Sequence, residues 1–334
     1  MRAAFPLFAF VLVAAPALAD HMGPTSLGGG LIVSGPDTLD AGHAAVGARL
    51  IYTRPKHRSD QELESLSSAG IAGHNTDYNL NASISGAYGI THELTISAEL
   101  PYVRRDDLRA AEDGEVERLG SVSGIGDMSL LAKYRLTDGE NTGFALIGGI
   151  KMPTGSTRKH DLAGNRLETE HQPGTGSWDP ILGASASTKA GGLRISASAL
   201  YQISGKGTQH TQLGDRLQGG IALSHRFGPA EHEHLESSHN HHHGDDVDEH
   251  HDRPGSSWDA FVEIAGEWEG RQTIAGEVER ASGGKTLWLA PGARFNSAAG
   301  WSVGASLGVP VYRRIRLSHP ENDYRFSVAI GHSL

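Results

Sequence analysis

The 334-residue chain contains no cysteine, which excludes a disulfide scaffold, a thiolate metal site and a cysteine nucleophile. Hydrophobic residues are scarce at 38%, compared with the ~45–50% that is usual in soluble domains. Basic residues are also in the minority, because 29 Lys and Arg face 39 Asp and Glu and leave a formal net charge of -10. An acidic chain of this kind is not expected to bind nucleic acid.

Long apolar runs are missing as well. Beyond residue 19 no stretch approaches the ~20 apolar residues that a membrane-spanning helix requires. One apolar stretch, residues 3–15, follows Met1-Arg2 and precedes Ala17-Leu18-Ala19, a small-x-small sequence typical of a signal-peptidase site. We therefore predict a signal peptide over residues 1–19, cleaved after Ala19, and export of the remaining chain.

The exported part does show a period of two between apolar and polar residues. Successive side chains of a strand point to opposite faces, so this alternation predicts β-strands. It is clear at residues 94–100, where Leu, Ile, Ala and Leu alternate with Thr, Ser and Glu. The predicted strands are residues 43–54, 78–90, 93–104, 122–136, 142–153, 177–188, 192–204, 215–228, 257–269, 285–297, 300–312 and 322–333.

This pattern fits either a soluble β-sandwich or a membrane barrel. The barrel is favoured because the segments are long and even in number, aromatic residues lie near their ends, and long connections alternate with short ones. We predict an all-β fold, a transmembrane antiparallel β-barrel of about 12 strands over residues 43–334, preceded by an N-terminal periplasmic segment at 20–42. The expected location is the outer membrane of a Gram-negative bacterium, where the lipid bilayer and the outer-membrane assembly machinery are partners.

One connection on the side of the short turns is long, residues 229–256. Its residues 231–252 hold eight of the 19 histidines and eight carboxylates but no Lys or Arg, and so contribute -8 of the net charge of -10. Imidazoles bind zinc, copper and nickel, and carboxylates complete such sites. We predict a flexible metal-binding loop that faces the periplasm, with a polar linker as the alternative. The predicted ligands are His232, His234, His239, His241, His242, His243, His250 and His251.

Charged residues also occupy the polar parity of the strands, which a barrel turns towards its lumen. Arg or Lys facing lipid at the bilayer midplane would cost ~2–4 kcal/mol, but a wet lumen accepts both. A narrow, partly filled pore is expected, because twelve strands lie between the eight that side chains fill and the sixteen that leave an open channel. Structural ion pairs and a role in selectivity both fit these charges. The predicted lumen residues are Arg49, Glu99, Lys133, Arg135, Arg194, Arg216, Asp259, Glu263, Glu267 and Arg294.

Evidence for catalysis in the sequence is weak. The metalloprotease motif His-Glu-x-x-His and the phosphate-binding P-loop are both missing. We predict that the chain is not an enzyme and requires no cofactor. An outer-membrane hydrolase is the third hypothesis, with His160, Asp161 and His171 as its candidate residues.

Five blocks resemble the "MetA-pathway of phenol degradation" family of outer-membrane barrels. They are Leu-Pro-Tyr-Val-Arg-Arg-Asp at 100–106, Gly-Ile-Gly-Asp at 124–127, Lys-Tyr-Arg at 133–135, Lys-Met-Pro-Thr-Gly at 151–155 and Gln-Pro-Gly-Thr-Gly-Ser-Trp-Asp-Pro at 172–180. The resemblance implies an outer-membrane barrel that passes small hydrophobic or aromatic compounds. The chain departs from the usual pattern of such barrels at its last residue, Leu334, where an aromatic residue, commonly Phe, is typical.

Two functional hypotheses lead. The first is an outer-membrane channel or transport component for small solutes, whose periplasmic His-rich loop binds Zn, Cu or Ni. The second is a barrel that does not transport but buffers or senses the metal ion.

Overall fold

The computed structural model describes residues 30–71, 73–112, 114–139, 141–228, 255–315 and 321–334. These ranges contain one α-helix, α1 at Asp60–Ser68, and two 3-10 turns at Thr169–His171 and Thr208–His210. The strands are β1 Ala44–Pro55, β2 Gly73–Asn75, β3 Tyr78–Gly89, β4 Leu94–Glu112, β5 Glu115–Ile125, β6 Ser129–Asp138, β7 Thr142–Lys151, β8 Asp179–Ala190, β9 Leu193–Gln202, β10 Thr211–Gln212, β11 Arg216–Phe227, β12 Ser257–Glu269, β13 Thr273–Ile274, β14 Glu277–Val278, β15 Gly284–Asn296, β16 Trp301–Ile315 and β17 Asn322–Ser333.

Twelve of these strands form a closed antiparallel barrel, as predicted. Around the wall the order is β1, β3, β4, β6, β7, β8, β9, β11, β12, β15, β16 and β17, and β17 pairs again with β1. The seam between the first and last strands continues to the chain end, where the Leu334 amide donates to the Ala44 carbonyl at 2.8 Å. A closed barrel leaves no edge groups unpaired, which is what the interior of a bilayer demands.

The outer face of the barrel is apolar. Large side chains such as Ile84, Leu182 and Ile221 are 58%, 60% and 56% exposed, whereas the inward-facing Ser196 and Ala222 are fully buried. Exposed aromatic residues lie near both ends of the wall, as in the girdles at the two membrane interfaces. They include Tyr88, Tyr134, Trp258 and Trp301 near one end and Trp178, Trp268, Tyr312 and Tyr324 near the other.

The two ends of the barrel differ in their connections. One end of the barrel is here called the turn end. The first wall strand, β1, begins there and the last, β17, ends there. The short connections also lie at this end, namely 90–93, 139–141, 191–192 and 297–300. The opposite end, the loop end, carries the connections 56–77, 152–178, 203–215 and 270–283. Outer-membrane barrels place short turns in the periplasm and long loops outside the cell. Within the described residues, no helix is both long and apolar enough to cross a bilayer.

Two predicted strands differ from the structure. The strand predicted at 93–104 continues beyond the wall to Glu112 as β4. The segment predicted at 122–136 is interrupted at residues 126–128, where β5 ends and β6 begins. Only β6 belongs to the wall, where it pairs with residues 94–99 of β4. Strand β5 pairs with residues 102–112 of β4, and the two strands form a hairpin that extends beyond the wall. The break occurs because Asp127 turns inward and is held there by a charged partner described below, so the backbone leaves the ladder.

A cap covers part of the loop end. It consists of α1, β2 and the β4–β5 hairpin, with Leu63 of the helix fully buried. The helix begins with a capping box, in which Ser59 Oγ accepts from the Glu62 amide at 3.2 Å and Glu62 Oε2 accepts from the Ser59 amide at 2.7 Å. These hydrogen bonds hold the pKa of Glu62 below its ordinary value. An ion pair between Arg109 and Asp60 ties the helix to β4.

Candidate functional site in the barrel lumen

All ten predicted lumen residues lie on the inner face of the wall. Each is buried or half-buried, and its neighbours along the strand are the apolar residues of the outer face. Four of them, Glu99, Asp259, Glu263 and Arg294, are less than 9% exposed. Buried charges need partners, and the structure supplies them in separate groups from the turn end to the loop end.

The largest group surrounds a segment that enters the lumen. Residues 30–39, here called the N-terminal plug, lie inside the barrel, within the region expected from the sequence to be a periplasmic segment at 20–42. Glu263 Oε1 accepts from the amides of Ile32 and Val33 at 2.8 and 2.7 Å. Arg294 donates to the Gly30 carbonyl at 2.6 Å. A side chain at residue 30 would not fit, because an added Cβ would lie 1.8 Å from Glu263 Oε1.

The opposite wall holds the other end of the plug. Lys133 Nζ donates to the Gly35 carbonyl at 2.9 Å, and Arg194 pairs with Asp37 at 3.5 Å. The Leu39 amide donates to the Thr95 hydroxyl at 2.8 Å. The plug therefore spans the lumen from β12 and β15 to β4, β6 and β9 by hydrogen bonds from both sides.

An aromatic residue separates the plug from the next charged group. Trp288 is fully buried and packs in one cluster with Ile32 of the plug. The Arg325 guanidinium lies 4.3 Å from the centre of its ring, a cation–π contact. Arg325 also pairs with Glu267, which accepts from the Trp288 indole at 3.1 Å.

A lysine between two aspartates lies towards the loop end. Lys151 Nζ is 2.7 Å from Asp127 Oδ2 and 2.9 Å from Asp179 Oδ2. Asp127 also accepts from the amides of Gly155 and Thr175, at 2.9 and 2.8 Å. These bonds fix both ends of the connection 152–178 to the inner wall. This group is here called the Lys151 cluster.

Close backbone contact completes the Lys151 cluster. A Cβ added to Gly155 would lie 2.6 Å from the Gly174 Cα, and one added to Gly174 would lie 2.6 Å from the Gly155 Cα. Only glycine at both positions allows the two ends of the loop to meet. On the other side, Asp179 accepts from the Gly205 amide at 2.9 Å and so fixes the connection 203–215 as well.

A cavity of about 290 Å³ remains between these groups and the cap. It extends to the loop end, and its lining is rich in charged residues from the wall and the loops. The lining includes Arg105, Lys151, Arg216, Glu170, Asp179 and Glu267. The wall alone therefore does not fill the lumen, and a polar space lies above the plug.

The remaining predicted lumen residues have smaller roles. Arg216 pairs with Glu269 at 3.1 Å, and Arg135 donates to the His92 carbonyl at 3.0 Å near the turn end. Asp259 is held by Arg226 at 2.7 Å. Arg49 and Glu99 face the lumen from β1 and β4.

The eight predicted metal ligands, from His232 to His251, lie outside the described residues. The strands that flank them, β11 and β12, end and begin at the turn end. Metal binding by this loop stays a prediction.

The residues suggested for a hydrolase do not form one group. His160 pairs with Arg166 in an isolated β-bridge, and Asp161 accepts from the Asn165 amide at 2.8 Å within the same turn. His171 is buried elsewhere, beside His74 and Glu170, which sequence reasoning did not single out. The sequence Gly-x-Ser-x-Gly does occur at 300–304 and 304–308, but both copies enter the wall strand β16 and lack the strand-to-helix turn of a nucleophile elbow.

The sequence matches the family model described as "Putative MetA-pathway of phenol degradation" over residues 75–262. The chain belongs to this family. Of the blocks that resembled it in the sequence, 124–127, 151–155 and 172–180 meet in the Lys151 cluster. In this member of the phenol-degradation family, those motif residues hold loops inside the barrel.

Comparison with solved structures shows the same fold. The chain is similar to the crystal structure of an outer-membrane channel from Pseudomonas putida F1, with a TM-score of 0.55, 17% identity, and coverage of 89% of this chain and 97% of that one. The β domain of the Bordetella autotransporter BrkA gives a TM-score of 0.48 at 9% identity, covering 88% of this chain and 100% of that one. No curated protein matches the chain in sequence. The predicted class, a transmembrane β-barrel of the outer-membrane type, is confirmed.

Proposed function

We propose that the chain is an outer-membrane channel for small solutes in which the N-terminal plug obstructs the pore. One observation carries this proposal, namely that a peptide segment crosses the lumen, held by hydrogen bonds from opposite sides of the wall, and leaves a cavity of about 290 Å³ in the lumen. A segment held by hydrogen bonds can move out of the lumen as a unit, whereas side chains that belong to the wall strands stay attached to the wall. The Pseudomonas putida protein with this fold is an outer-membrane channel, which supports the same role.

The lining of the cavity favours solutes that carry polar groups. Basic residues, among them Arg105, Lys151 and Arg216, line the space together with the carboxylates of Glu170 and Asp179. A purely apolar compound would remove water from these charges without replacing its hydrogen bonds, which is costly. We therefore favour a solute with a hydroxyl or carboxylate, an aromatic one included, over a hydrocarbon.

Conductance in planar bilayers tests the proposal. A variant that lacks residues 30–39 should carry a larger current than the unaltered barrel, because the obstruction is gone. Glu62→Gln, on the exposed face of α1, is the matched control and should leave the current unchanged. If neither the unaltered barrel nor the variant without the plug carries current or takes up a hydroxylated or carboxylated solute, the chain is not a channel.

We further propose that residues 231–252 bind Zn, Cu or Ni on the periplasmic side. The composition of the loop supports this, with eight imidazoles and eight carboxylates, as does its attachment to strands that meet at the turn end. Replacing residues 231–252 by Gly and Ser of equal length should change the sensitivity of cells to these ions. Unchanged sensitivity would reduce the loop to a polar linker. A bound metal without any channel current would favour a buffering or sensing protein.

A further inference from the structure

Two histidines and a glutamate meet at the loop end of the lumen. His74 is part of β2 in the connection 56–77, whereas Glu170 and His171 form the 3-10 turn in the connection 152–178. Their potential ligand atoms all lie within 4.8 Å of one another. All three residues line the cavity.

The spacing of these atoms is that of ligands around a common centre. His74 Nδ1 and His171 Nε2 lie 3.7 and 3.6 Å from the same oxygen, Glu170 Oε1. Both distances exceed the roughly 2.7–3.2 Å of an N–H···O hydrogen bond. Ligands at ~2.0–2.1 Å from a tetrahedral zinc ion are about 3.3 Å apart. The three atoms therefore need small movements to bind one ion together.

A neighbouring loop holds the carboxylate in the required orientation. Gln272, in the connection 270–283, donates to Glu170 Oε2 at 2.7 Å and also contacts Glu279. Glu170 Oε1 is thus the oxygen turned towards the two imidazoles. A hydrogen bond to the second atom of a ligand is the usual way in which proteins orient metal ligands.

The turn that carries two of the three residues is also fixed from below. Arg105 donates to the carbonyls of Glu170 and Gln172 at 2.7 and 3.2 Å, and to that of His171. Its side chain is 6% exposed, so the cluster is built on a buried support. Arg105 reaches the turn through its backbone carbonyls and not through the imidazoles or the carboxylate.

We propose that His74, Glu170 and His171 form a binding site for one divalent transition-metal ion, of the class of Zn²⁺, Cu²⁺ or Ni²⁺. Two nitrogens and one carboxylate oxygen suit these ions and not Ca²⁺ or Mg²⁺, which prefer oxygen ligands alone. With three protein ligands, a tetrahedral ion keeps a fourth position for water or solute. The ion joins the connections 56–77 and 152–178 over the lumen. The site is separate from the His-rich loop and does not depend on a channel function.

Zinc titration of the whole barrel in detergent tests the site. Residues 231–252 are first replaced by Gly and Ser of equal length, so that their imidazoles cannot contribute, and heat-modifiable migration verifies that each protein is folded. This parent should bind one Zn²⁺. His74→Ala with His171→Ala should weaken binding by at least ~100-fold, because two of the three ligands are lost.

The matched control removes two histidines from the same two connections. His57→Ala with His160→Ala alters exposed side chains outside the cluster and should leave the affinity unchanged. Gln272→Ala should weaken binding by ~10–100-fold, as expected for a residue that orients a ligand.

Each result decides the proposal. The proposal is overturned if the parent does not bind Zn²⁺ at up to about 1 mM. It is also overturned if the variant without His74 and His171 binds as well as the parent, or if the control variant loses as much affinity as that variant does. Should that variant not fold, Glu170→Gln, which keeps the size of the side chain, must weaken binding by about 10-fold or more. Should the parent not fold, the same variants in the unaltered chain must lower the number of bound Zn²⁺ ions by one.

Discussion

Removing the carboxylate of Glu263 should release the N-terminal plug. Its Oε1 accepts two backbone amides, from Ile32 and Val33, and a hydrogen bond to a charged group contributes ~1.5–3 kcal/mol. Glu263→Ala therefore weakens docking by about 3 kcal/mol or more, which is at least ~100-fold in the docking equilibrium. Glu263→Gln keeps a neutral acceptor and should cost about 2 kcal/mol, or ~30-fold.

The chain offers a clean reporter for this change, because it has no cysteine of its own. Val33 is fully buried, and Val33→Cys places one small apolar thiol there. In the parent, a water-soluble maleimide should label this thiol slowly, since labelling requires the plug to leave its position. Adding Glu263→Ala should raise the rate by ~100-fold or more, and Glu263→Gln by ~30-fold.

The control and the opposing result are equally specific. Asp259→Asn removes a charge from the same face of β12, but Asp259 is held by Arg226 and not by the plug, so labelling should stay slow. Gly30→Ala changes the plug and not the wall. It should also raise the labelling rate, because the added Cβ would overlap the Glu263 carboxylate. If labelling in the Glu263 variants equals that of the parent while the barrel stays heat-modifiable, the carboxylate does not hold the plug.

Three further predictions concern the loop end. Lys151→Met leaves two buried aspartates without their shared cation. Breaking a buried ion pair lowers stability by ~3–5 kcal/mol, so the connection 152–178 should become sensitive to protease. Gly155→Ala should lower the unfolding temperature in detergent through a clash costing ~1–3 kcal/mol, whereas Gly148→Ala, where nothing lies within 4 Å of an added Cβ, should not. The pKa of Glu62 is lowered in the folded chain, chiefly by the Ser59 amide, so its contribution is present above its unfolded pKa and is lost as pH falls through the folded value. The protection factors of the α1 amides should therefore fall at acid pH, and Glu62→Gln, which removes the titrating carboxylate, should remove that part of the pH dependence.

The wall of the barrel is predictable from the sequence because every wall strand separates apolar lipid from a polar lumen. A residue there faces either lipid or the lumen, so apolar and polar residues alternate, and the parity that carries Glu263 and Arg294 is the inner one. Aromatic residues at strand ends mark where lipid gives way to water. These signals are local, and they repeat twelve times.

The contents of the lumen leave no such signal. The plug is held through its backbone amides, as at Ile32, and a backbone bond places no demand on the identity of the residue. His74 and Glu170 meet because two loops fold over the same end of the barrel. The sequence around each residue contains no sign that the other lies close to it in space. The break at Asp127 was missed for a similar reason, since its partners Lys151 and Thr175 lie in later segments.

The position of the plug also constrains how the barrel is assembled. The plug is joined to β1 by residues 40–43, and β1 forms the seam with β17, the wall strand farthest from it along the chain. Once that seam closes, the lumen can be entered only through its two ends. Held by Glu263 on one side and by Lys133 on the other, the plug acts there as a strut across the closed ring.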